Sequence, residues 1–582
     1  MARLPLLPSL ERKRAPLGFI ALGALLGALF FFYYYGTAIL DPGFDAWLRI
    51  PSDLGQGYTG WLFFRRSSWH FPIGLMDGII GDTPLSVMYV DAVPLFELIA
   101  KTLSPFFGNT FQYHGAWGLF CFMMQGAVSV LLLRRWTANG WLATLFSIFF
   151  LTMPTVHIRA FTHAALVGQW ILLLALALWF YSNEWSCVWK KAIAWCVLFF
   201  ILPLIHAYFV GMCAFLFAGF LLEEWIRRKR LLPQILTGFC AIASTLGAMA
   251  LVGAFSGDVS SVTNPYGTYR ADAASLFNPT FSRFLPHWQW SDPTRSEGEA
   301  YLGLGLLFAL LLALGFATSW AWRRRARLHL WFHAHIRWCL LFGILVSAYL
   351  FACGPEYEIA GHTLFKIPLP EKLLSLLSIY RANGRFLWLV WYLLALGTIR
   401  ILLMIPKKAV GNALLCVALT LQLADFSSSL QGQHQKALFY EECRAQNNLV
   451  WETPLQSPAW EMLAEHYTRF AFRDWTQYSI VYDTEQMMSY VISLGQFAAD
   501  HGLTLNDFYC SRSPDRRIIV EQTAREISFS PRADTVYFGT DLGTEALPTS
   551  LQLYRVDGIL LGLVEAPAGF SEFSQVEIIS KN

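Results

Sequence analysis

Charged residues are scarce in this chain of 582 residues. Asp, Glu, Lys and Arg make up 14% of it, well below the roughly 25% of soluble proteins, whereas hydrophobic residues make up 55%. This composition excludes a soluble enzyme, a disordered protein and a nucleic-acid-binding protein. Cysteine-based metal motifs are missing too, because the ten cysteines form no C-x-x-C pair and no Cys/His spacing typical of zinc. The sequence also lacks a visible internal repeat, so the matched halves of many transporters are not indicated.

Long uncharged apolar runs, in contrast, are abundant. Runs of about 20 such residues are typical of transmembrane helices. The first run follows Arg12, Lys13 and Arg14, is too long for a signal peptide and has no A-x-A cleavage site, so we interpret it as a retained span. We predict about eleven spans, over residues 17–40, 116–133, 144–153, 166–181, 192–204, 209–222, 232–255, 301–322, 338–351, 386–404 and 410–424.

Clusters of Lys and Arg predict the orientation. Cytoplasmic loops of membrane proteins are enriched in these residues, and here the clusters all fall on the side of residue 1. The N-terminus is therefore predicted to be cytoplasmic, and an odd number of spans puts the C-terminus in the periplasm of a bacterial inner-membrane protein. The clusters are Arg134/Arg135, Lys190/Lys191, residues 227–230, residues 323–325 with Arg327, and Lys407/Lys408.

The regions outside the spans differ in kind. Three outer segments are expected, over residues 41–115, 256–300 and 353–385, the last with a surface helix near 371–379. The tail has more charge, shorter apolar runs and β-like stretches at 517–521, 535–538 and 559–565. We predict an α-helical polytopic membrane domain over residues 1–425 and a small periplasmic α/β domain over residues 426–582. Two cysteines of the tail either pair in an oxidising compartment or stay separate thiols: Cys443 and Cys510.

Polar residues concentrate in the first outer loop. Residues 54–66 have helical apolar spacing, which predicts an amphipathic helix lying along the membrane surface. Asp53 would begin this helix, and Arg65 and Arg66 would end it. Two interpretations stay open. These residues stabilise the helix, with Asp53 as its N-cap and the arginines at the negative end of its dipole, or they belong to a functional site. A second carboxylate, Asp91, precedes an apolar helix that leads into the next span.

This order of features resembles the GT-C superfamily of integral-membrane glycosyltransferases. There, a large outer loop after the first span holds an early acidic residue and a surface helix with a nearby Tyr, here Asp53 and Tyr58. A P-L-(Y/F)-x-L-like helix (VPLFEL, 93–98) and an F-G break (107–108) then lead into the second span. More narrowly, GWLFFR, WxFP, DAVPL, FQYxGxW and YLGLG look like an uncharacterised bacterial membrane family within that superfamily. The early acidic residue has three candidates: Asp41, Asp45 and Asp53.

The resemblance implies transfer of one sugar from a polyprenyl-phosphate donor to a cell-envelope glycan, lipid or protein on the periplasmic face, with inversion. The acceptor hydroxyl needs a general base, for which Asp53 is the first candidate and Asp91 the second, or an orienting group. The leaving phosphate needs cations, and arginine suits it best. We favour Arg381 and Arg385 of YRANGRF, although outer arginines also reach lipid headgroups for purely structural reasons. Further candidates for substrate binding are Tyr58, Arg65, Arg66, His70, Arg159, His163, Glu299 and Tyr301.

Two other functions stay open as alternatives. A flippase for lipid-linked glycans would place charged residues near the middle of its spans, whereas the acids here lie mostly outside them. An O-antigen-type polymerase or ligase also uses outer Arg and His, but its main loop is expected late in the chain. Dependence on a divalent metal stays open as well, since no ligand spacing is recognisable. The distinguishing expectation is geometric: one outward-facing cavity should bring together Asp53, Asp91, Arg381 and Arg385.

Overall fold

A computed structural model describes residues 16–182, 184–257, 259–260, 264–288, 290, 292–323, 325, 335–477, 484–540, 542, 548 and 550–579. Within these ranges, ten helices are long and apolar enough to cross a membrane, and a helix pair bent by 68° over residues 140–161 would make an eleventh span. This agrees with the predicted number and is compatible with a multi-pass membrane protein. The basic residues 12–14 and Arg327, used above for orientation, lie outside the described residues.

The first half of the chain supplies seven of these candidate spans, counting the bent pair. Its helices are α1 (Leu17–Tyr35), α2 (Asp53–Arg66), α3 (Pro94–Leu103), α4 (His114–Leu133), α5 (Gly140–Phe146), α6 (Ile148–Leu151), α7 (Pro154–His157), α8 (Trp170–Ser182), α9 (Val188–Ile205), α10 (Ala207–Arg228) and α11 (Leu232–Leu251).

The second half contributes the remaining spans and the C-terminal domain. The segment predicted to hold a surface helix does contain one, and none of the residues of that helix, α14, is buried. The helices are α12 (Leu304–Arg323), α13 (Ile336–Cys353), α14 (Glu371–Leu377), α15 (Leu387–Leu403), α16 (Lys408–Asp425), α17 (Ser427–Gln446), α18 (Ala459–His466), α19 (Thr484–His501) and α20 (Arg516–Phe529).

Glycine allows α1 and α4 to cross closely. A Cβ atom at Gly27 would lie 2.0 Å from the carbonyl oxygen of Phe122, and one at Gly126 would lie 2.1 Å from that of Gly23. Small residues four positions apart, as in Gly23 and Gly27, are typical of tightly packed membrane helices. This crossing fixes the first helix on the bundle, although most of its surface is exposed.

The C-terminal domain is built on a six-stranded mixed sheet. Its strand order is β12-β10-β11-β9-β6-β7; β6 pairs in parallel with β7 and β9, and the other pairs are antiparallel. Two small hairpins, β1–β2 and β4–β5, lie in the connections between spans. The strands are β1 (Leu75–Met76), β2 (Leu85–Ser86), β3 (Val259–Ser260), β4 (Glu356–Ile359), β5 (His362–Lys366), β6 (Arg469–Phe472), β7 (Thr504–Leu505), β8 (Ser513–Pro514), β9 (Thr535–Phe538), β10 (Gln552–Val556), β11 (Ile559–Leu563) and β12 (Val576–Ile579).

Two of the three predicted β-like stretches are strands, β9 and β11. The third prediction, at residues 517–521, is wrong, because these residues lie in α20. The side chain of Asp515 accepts a hydrogen bond from the backbone N–H of Arg517 and caps the helix. A short apolar run does not distinguish a strand from a helix, and here the cap decides for the helix.

The helix predicted to lie on the membrane surface is instead buried within the protein. Residues 54–64 of α2 are all buried, and α2 packs against α19 of the C-terminal domain. Gly55 permits this contact, since a Cβ atom there would lie 3.2 Å from the side chain of Ile492. The apolar spacing of α2 is real, but the surface that covers it is protein and not lipid. Its N-cap is Ser52 and not Asp53.

A connecting helix joins the two parts of the chain. α17 follows α16 directly and lies against the end of α1, where the carboxylate of Glu441 accepts hydrogen bonds from the backbone of Thr37 and Ala38. The sheet domain therefore begins after α17, later than the predicted boundary at residue 425. The two tail cysteines, Cys443 and Cys510, are separate thiols.

The glycine crossing generates a stability prediction. Gly126→Leu should force α1 away from α4 and lower the free energy of unfolding by about 1–3 kcal/mol or more, as for other overpacked interiors. The measurement is thermal denaturation of the purified protein in detergent, followed by tryptophan fluorescence. Gly247→Leu is the matched control, because no atom lies within 4 Å of a Cβ atom built there. Equal melting temperatures for the two variants would contradict the importance of this crossing.

Candidate active site

One cavity of about 560 Å³ lies where the first loop, the connections between spans and the C-terminal domain meet. It brings together all four residues expected to converge, which are separated by up to 332 positions in the sequence (385 − 53). The charged and imidazole groups in its wall are Asp53, Asp91, His163, His206, Glu297, Arg381, Arg385 and Arg512.

Asp91 occupies a strained backbone position in this wall. Its φ of 52° is in the left-handed region, which non-glycine residues rarely adopt and Asp adopts more readily than most. One carboxylate oxygen lies 2.9 Å from Nδ1 of His163, and the other lies 3.9 Å from Nε2 of His206. Strained residues that persist within a polar cluster are typical of functional sites.

His163 connects the two predicted catalytic carboxylates. It follows the bent pair of helices and precedes the next span, so the break in the apolar sequence brings its ring to the cavity. Nδ1 faces Asp91 at 2.9 Å, and Nε2 faces Asp53 at 3.3 Å. A carboxylate on one ring nitrogen fixes the orientation of the imidazole relative to the group at the other nitrogen. The arrangement is therefore a chain Asp91–His163–Asp53.

Asp53 is the most accessible of the three carboxylates in the cavity wall. Its side chain is 38% exposed, against 14% for Asp91 and 19% for Glu297. It is the first residue of α2, and its Oδ1 accepts a hydrogen bond of 3.4 Å from the hydroxyl of Tyr509. Asp53 thus combines fixed neighbours with access for a ligand, which a general base requires.

Glu297 neutralises two of the predicted arginines. Its Oε2 lies 2.7 Å from Nε of Arg385 and 3.1 Å from a terminal nitrogen of Arg159. Arg385 also lies over the ring of Tyr208, 4.8 Å from its centroid. Since all three charged groups are largely buried, this is a fixed ion cluster, and Arg385 is already paired with an acid of the protein.

Nearby basic groups hold two buried acids in their charged form. Burial raises the pKa of the Asp91 carboxyl, but His163 outweighs it and keeps the pKa below the ordinary value. Burial likewise raises the pKa of Glu297, but Arg385 and Arg159 together hold that pKa far below the ordinary value. Both carboxylates are therefore ionised at neutral pH.

The YRANGRF segment is held rigidly at the cavity. The amide of Asn383 donates to the carbonyl oxygens of Phe351, Ala352 and Gly354, at 2.9–3.0 Å. Gly384 allows close contact with the connection between α11 and α12, since a Cβ atom there would lie 2.8 Å from the carbonyl oxygen of Tyr269. These contacts fix the backbone between the segment's two arginines.

The remaining predicted site residues lie outside the cavity wall and stabilise its surroundings. Arg65 binds the carbonyl oxygens of Gly108 and Asn109, and Arg66 binds that of Asp500. The other pairs are Tyr58 with Asp45 (2.6 Å), His70 with Asp77 (2.6 Å) and Glu299 with the indole of Trp290 (3.1 Å), while Tyr301 is buried against Phe426.

Sequence reasoning missed three groups of the cavity wall: His206, Tyr509 and Arg512. His206 lies just after Pro203, at the junction of two apolar helices. A histidine at such a break is a sequence signal that could have identified it as a candidate. Tyr509 and Arg512 carry no local signal, because they reach the cavity only when the C-terminal domain docks.

A metal ion is not needed to explain the cluster of acids. No group of three or more His, Cys, Asp or Glu side chains in the described ranges has the geometry to hold one. The carboxylates of the cavity instead face the imidazoles and guanidinium groups described above.

Comparison with known proteins identifies a family. A family model described as a domain of unknown function, DUF6311, matches residues 24–427, and the DUF6311 C-terminal domain matches residues 459–564. The first match alone covers well over half of the chain. No curated protein and no solved structure matches.

The ion cluster around Glu297 generates a second prediction. Glu297→Gln would leave two buried arginines without their shared acid, which for buried pairs costs about 3–5 kcal/mol. The melting temperature in detergent should fall by several degrees at pH 7. The control is Glu299→Gln in the same loop. The Glu299 side chain accepts one hydrogen bond, and burial raises the pKa of its carboxyl instead of lowering it.

The same pair of proteins provides a pH test. A carboxyl with a depressed folded-state pKa contributes its full stability above its unfolded pKa of about 4.3, and loses it as the pH falls through the folded value. The difference between wild type and Glu297→Gln should therefore be largest at neutral pH and shrink below about pH 4. A difference that grows on acidification would show that Glu297 does not act as a charged partner.

Proposed function

We propose that this chain, which belongs to the DUF6311 family, is a membrane glycosyltransferase that transfers one sugar from a polyprenyl-phosphate donor to a cell-envelope acceptor. The observation that supports it most is the chain Asp91–His163–Asp53, which shares one cavity with Arg381 and Arg512, two arginines that form no ion pair within the described residues. The positions of the Lys and Arg clusters support a periplasmic location for this cavity, at the inner membrane of a bacterium. The acceptor class, whether glycan, lipid or protein, stays part of the proposal.

Asp53 is the proposed general base. Its carboxylate takes the proton of the acceptor hydroxyl as the acceptor oxygen forms a bond to the anomeric carbon. The bond from that carbon to the phosphate oxygen breaks on the opposite side, which inverts the configuration, and the polyprenyl phosphate leaves with the electron pair. The leaving phosphate gains negative charge, so that cations rather than an acid assist this step.

Asp91 and His163 are proposed to position the base. Asp91 is the more buried of the two aspartates and has no comparable access to a ligand. Held by Asp91, the ring of His163 presents Nε2 to Asp53, which restricts the carboxylate to one side of the cavity. Holding a reacting group in one geometry supplies a large part of enzymatic rate enhancement.

The surface beside the cavity supports a lipid-linked donor. The segment between α13 and α15 forms part of the cavity wall, through Ser375, Ser378 and Ile379. Large exposed apolar patches mark contacts with partners or membranes. The exposed apolar residues of this segment are Ile359, Leu364, Phe365, Ile367, Leu373, Leu376 and Ile379.

The buried charges in the spans give little support to the flippase alternative. Glu223 pairs with Arg337 at 2.9 Å, and Glu224 pairs with Lys191 at 2.7 Å. Both acids lie near the end of α10, whereas the cavity adjoins its beginning at Ala207. These pairs are not part of the cavity wall, so they do not extend the cavity into a polar path through the bundle.

The proposal predicts that Asp53→Asn abolishes transfer. Loss of a general base typically lowers the rate by about 10²–10⁴-fold, while the removal of one charge from a partly exposed site should leave folding intact. The measurement is mass spectrometry of cell-surface glycans and glycoproteins from cells that lack the chain, complemented with wild type or variant. The wild type should restore a mass increment of one sugar, and Asp53→Asn should not.

Asp77→Asn is the matched control. Asp77 lies in the same loop, is partnered by His70 and is outside the cavity wall. Membrane levels of both variants and their melting temperatures should equal those of the wild type. If no sugar depends on the chain, or if Asp53→Asn restores the increment fully, the proposed enzyme or its base is wrong.

A further inference from the structure

Two arginines of the cavity wall form no ion pair with any carboxylate in the described part of the chain. Arg381 belongs to the membrane domain and Arg512 to the C-terminal domain, and both are partly exposed to the cavity. Their neighbour Arg385 shares Glu297 with Arg159. An anion that enters the cavity therefore meets two cations that need not first give up a carboxylate of the protein.

We propose that Arg381 and Arg512 together bind the phosphate group of the lipid-linked donor, so that the phosphate site exists only when the C-terminal domain is docked. The lipid identity of the ligand rests on the proposed function, whereas its phosphate chemistry follows from the two cations. The planar guanidinium group gives paired hydrogen bonds to phosphate oxygens, and such charge-assisted bonds are about twice as strong as neutral ones.

Arg512 is held against the membrane domain by its neighbours in sequence. The backbone N–H of Ser511 donates to the carbonyl oxygen of Tyr89 at 2.8 Å, and its hydroxyl donates to the same oxygen at 3.1 Å. The guanidinium group of Arg512 lies over the ring of Tyr89, 5.9 Å from its centroid. The next residues form β8, which pairs with β3 of the second outer segment. The position of Arg512 is thus set by contacts on both sides.

The same segment contacts the proposed base. The carbonyl oxygen of Tyr509 accepts a hydrogen bond from the side chain of Gln56 in α2, and the Tyr509 hydroxyl donates to Asp53. Only three positions separate Tyr509 from Arg512. A phosphate bound by Arg512 would therefore lie in the same cavity as the carboxylate that activates the acceptor.

Arg381 is fixed on the opposite side of the domain boundary. Its carbonyl oxygen accepts a hydrogen bond of 3.3 Å from the backbone of Tyr269, and the N–H of Ala382 donates to the hydroxyl of Tyr208 at 2.7 Å. Its backbone is held, while its side chain lines the cavity and has no ion-pair partner among the residues that the structure describes. The two arginines are thus supplied by separate domains to one site.

The test is direct binding of farnesyl phosphate to the full-length protein in detergent, measured by calorimetry. Arg381→Ala and Arg512→Ala should each weaken binding at least about tenfold, as expected for loss of a charge-assisted hydrogen bond. The uncharged probe farnesol should bind more weakly, and these variants should not change its affinity. Arg517→Ala is the control, because Arg517 is 88% exposed and pairs with Asp515 outside the cavity.

Competition with inorganic phosphate separates a lipid headgroup from a free anion. We expect farnesyl phosphate to bind more tightly than inorganic phosphate and to be displaced by it at high concentration. Equal affinities for the two would still show that the arginines bind an anion, but would contradict the proposal that this anion is a lipid headgroup. Unchanged binding of farnesyl phosphate in Arg512→Ala, or no binding to the wild type, would overturn the shared site altogether.

This outcome is separable from that of the proposed function. Binding needs no sugar transfer, so loss of affinity in both arginine variants stands even if no glycan depends on the chain. Conversely, if Asp53→Asn abolishes transfer while Arg512→Ala binds farnesyl phosphate normally, the enzyme proposal stands and the phosphate site does not.

Discussion

The bridge from Asp91 through His163 to Asp53 is the interaction on which the rest of the cavity depends. Ionised carboxylates are expensive to bury unless each has a partner. One imidazole serves both aspartates, which lie 38 positions apart in the chain (91 − 53) and on different elements. Asp91 also has a left-handed backbone, which is unfavourable for a residue with a side chain. The turn before α3 therefore has the conformation that this contact requires and not the one of lowest backbone energy. Without His163, the two acids would face the same cavity without the group that bridges them.

α2 provides the second constraint, since it is a wall shared by two domains. Its first residue is Asp53, and residues 54–64 are buried between the helical bundle and α19. The carboxylate therefore takes its position from both domains at once. Gly55 and Gly60 make this possible, since Cβ atoms there would lie 2.0 Å from the carbonyl oxygen of Ile50 and 2.3 Å from the side chain of Val90. Any shift of the C-terminal domain would be transmitted to the proposed base.

Hydropathy predicted the spans because lipid imposes a strict length and composition on each of them. It also indicated Asp53, Asp91 and His163, since acids and histidines at the rim of such spans stand out. It could not reveal Tyr509 or Arg512, because nothing local in the tail encodes docking onto the bundle. The same limit explains the error at α2, where burial by protein and burial by lipid produce one and the same apolar pattern.

The charges in the cavity divide into those that hold the structure and those that are left for a ligand. Arg159, Arg385 and Glu297 are paired and largely buried, and exchanging one of these partners for a ligand would mean breaking a buried ion pair. Arg381 and Arg512, which form no ion pair within the described residues, carry no such cost. The sequence gives no sign of which arginines pair with an acid of the protein. Only their partners in the structure separate an arginine that stabilises the fold from one that can bind a ligand. That distinction retains Arg381 as a proposed phosphate contact, replaces Arg385 with Arg512, and so divides the proposed site between two domains.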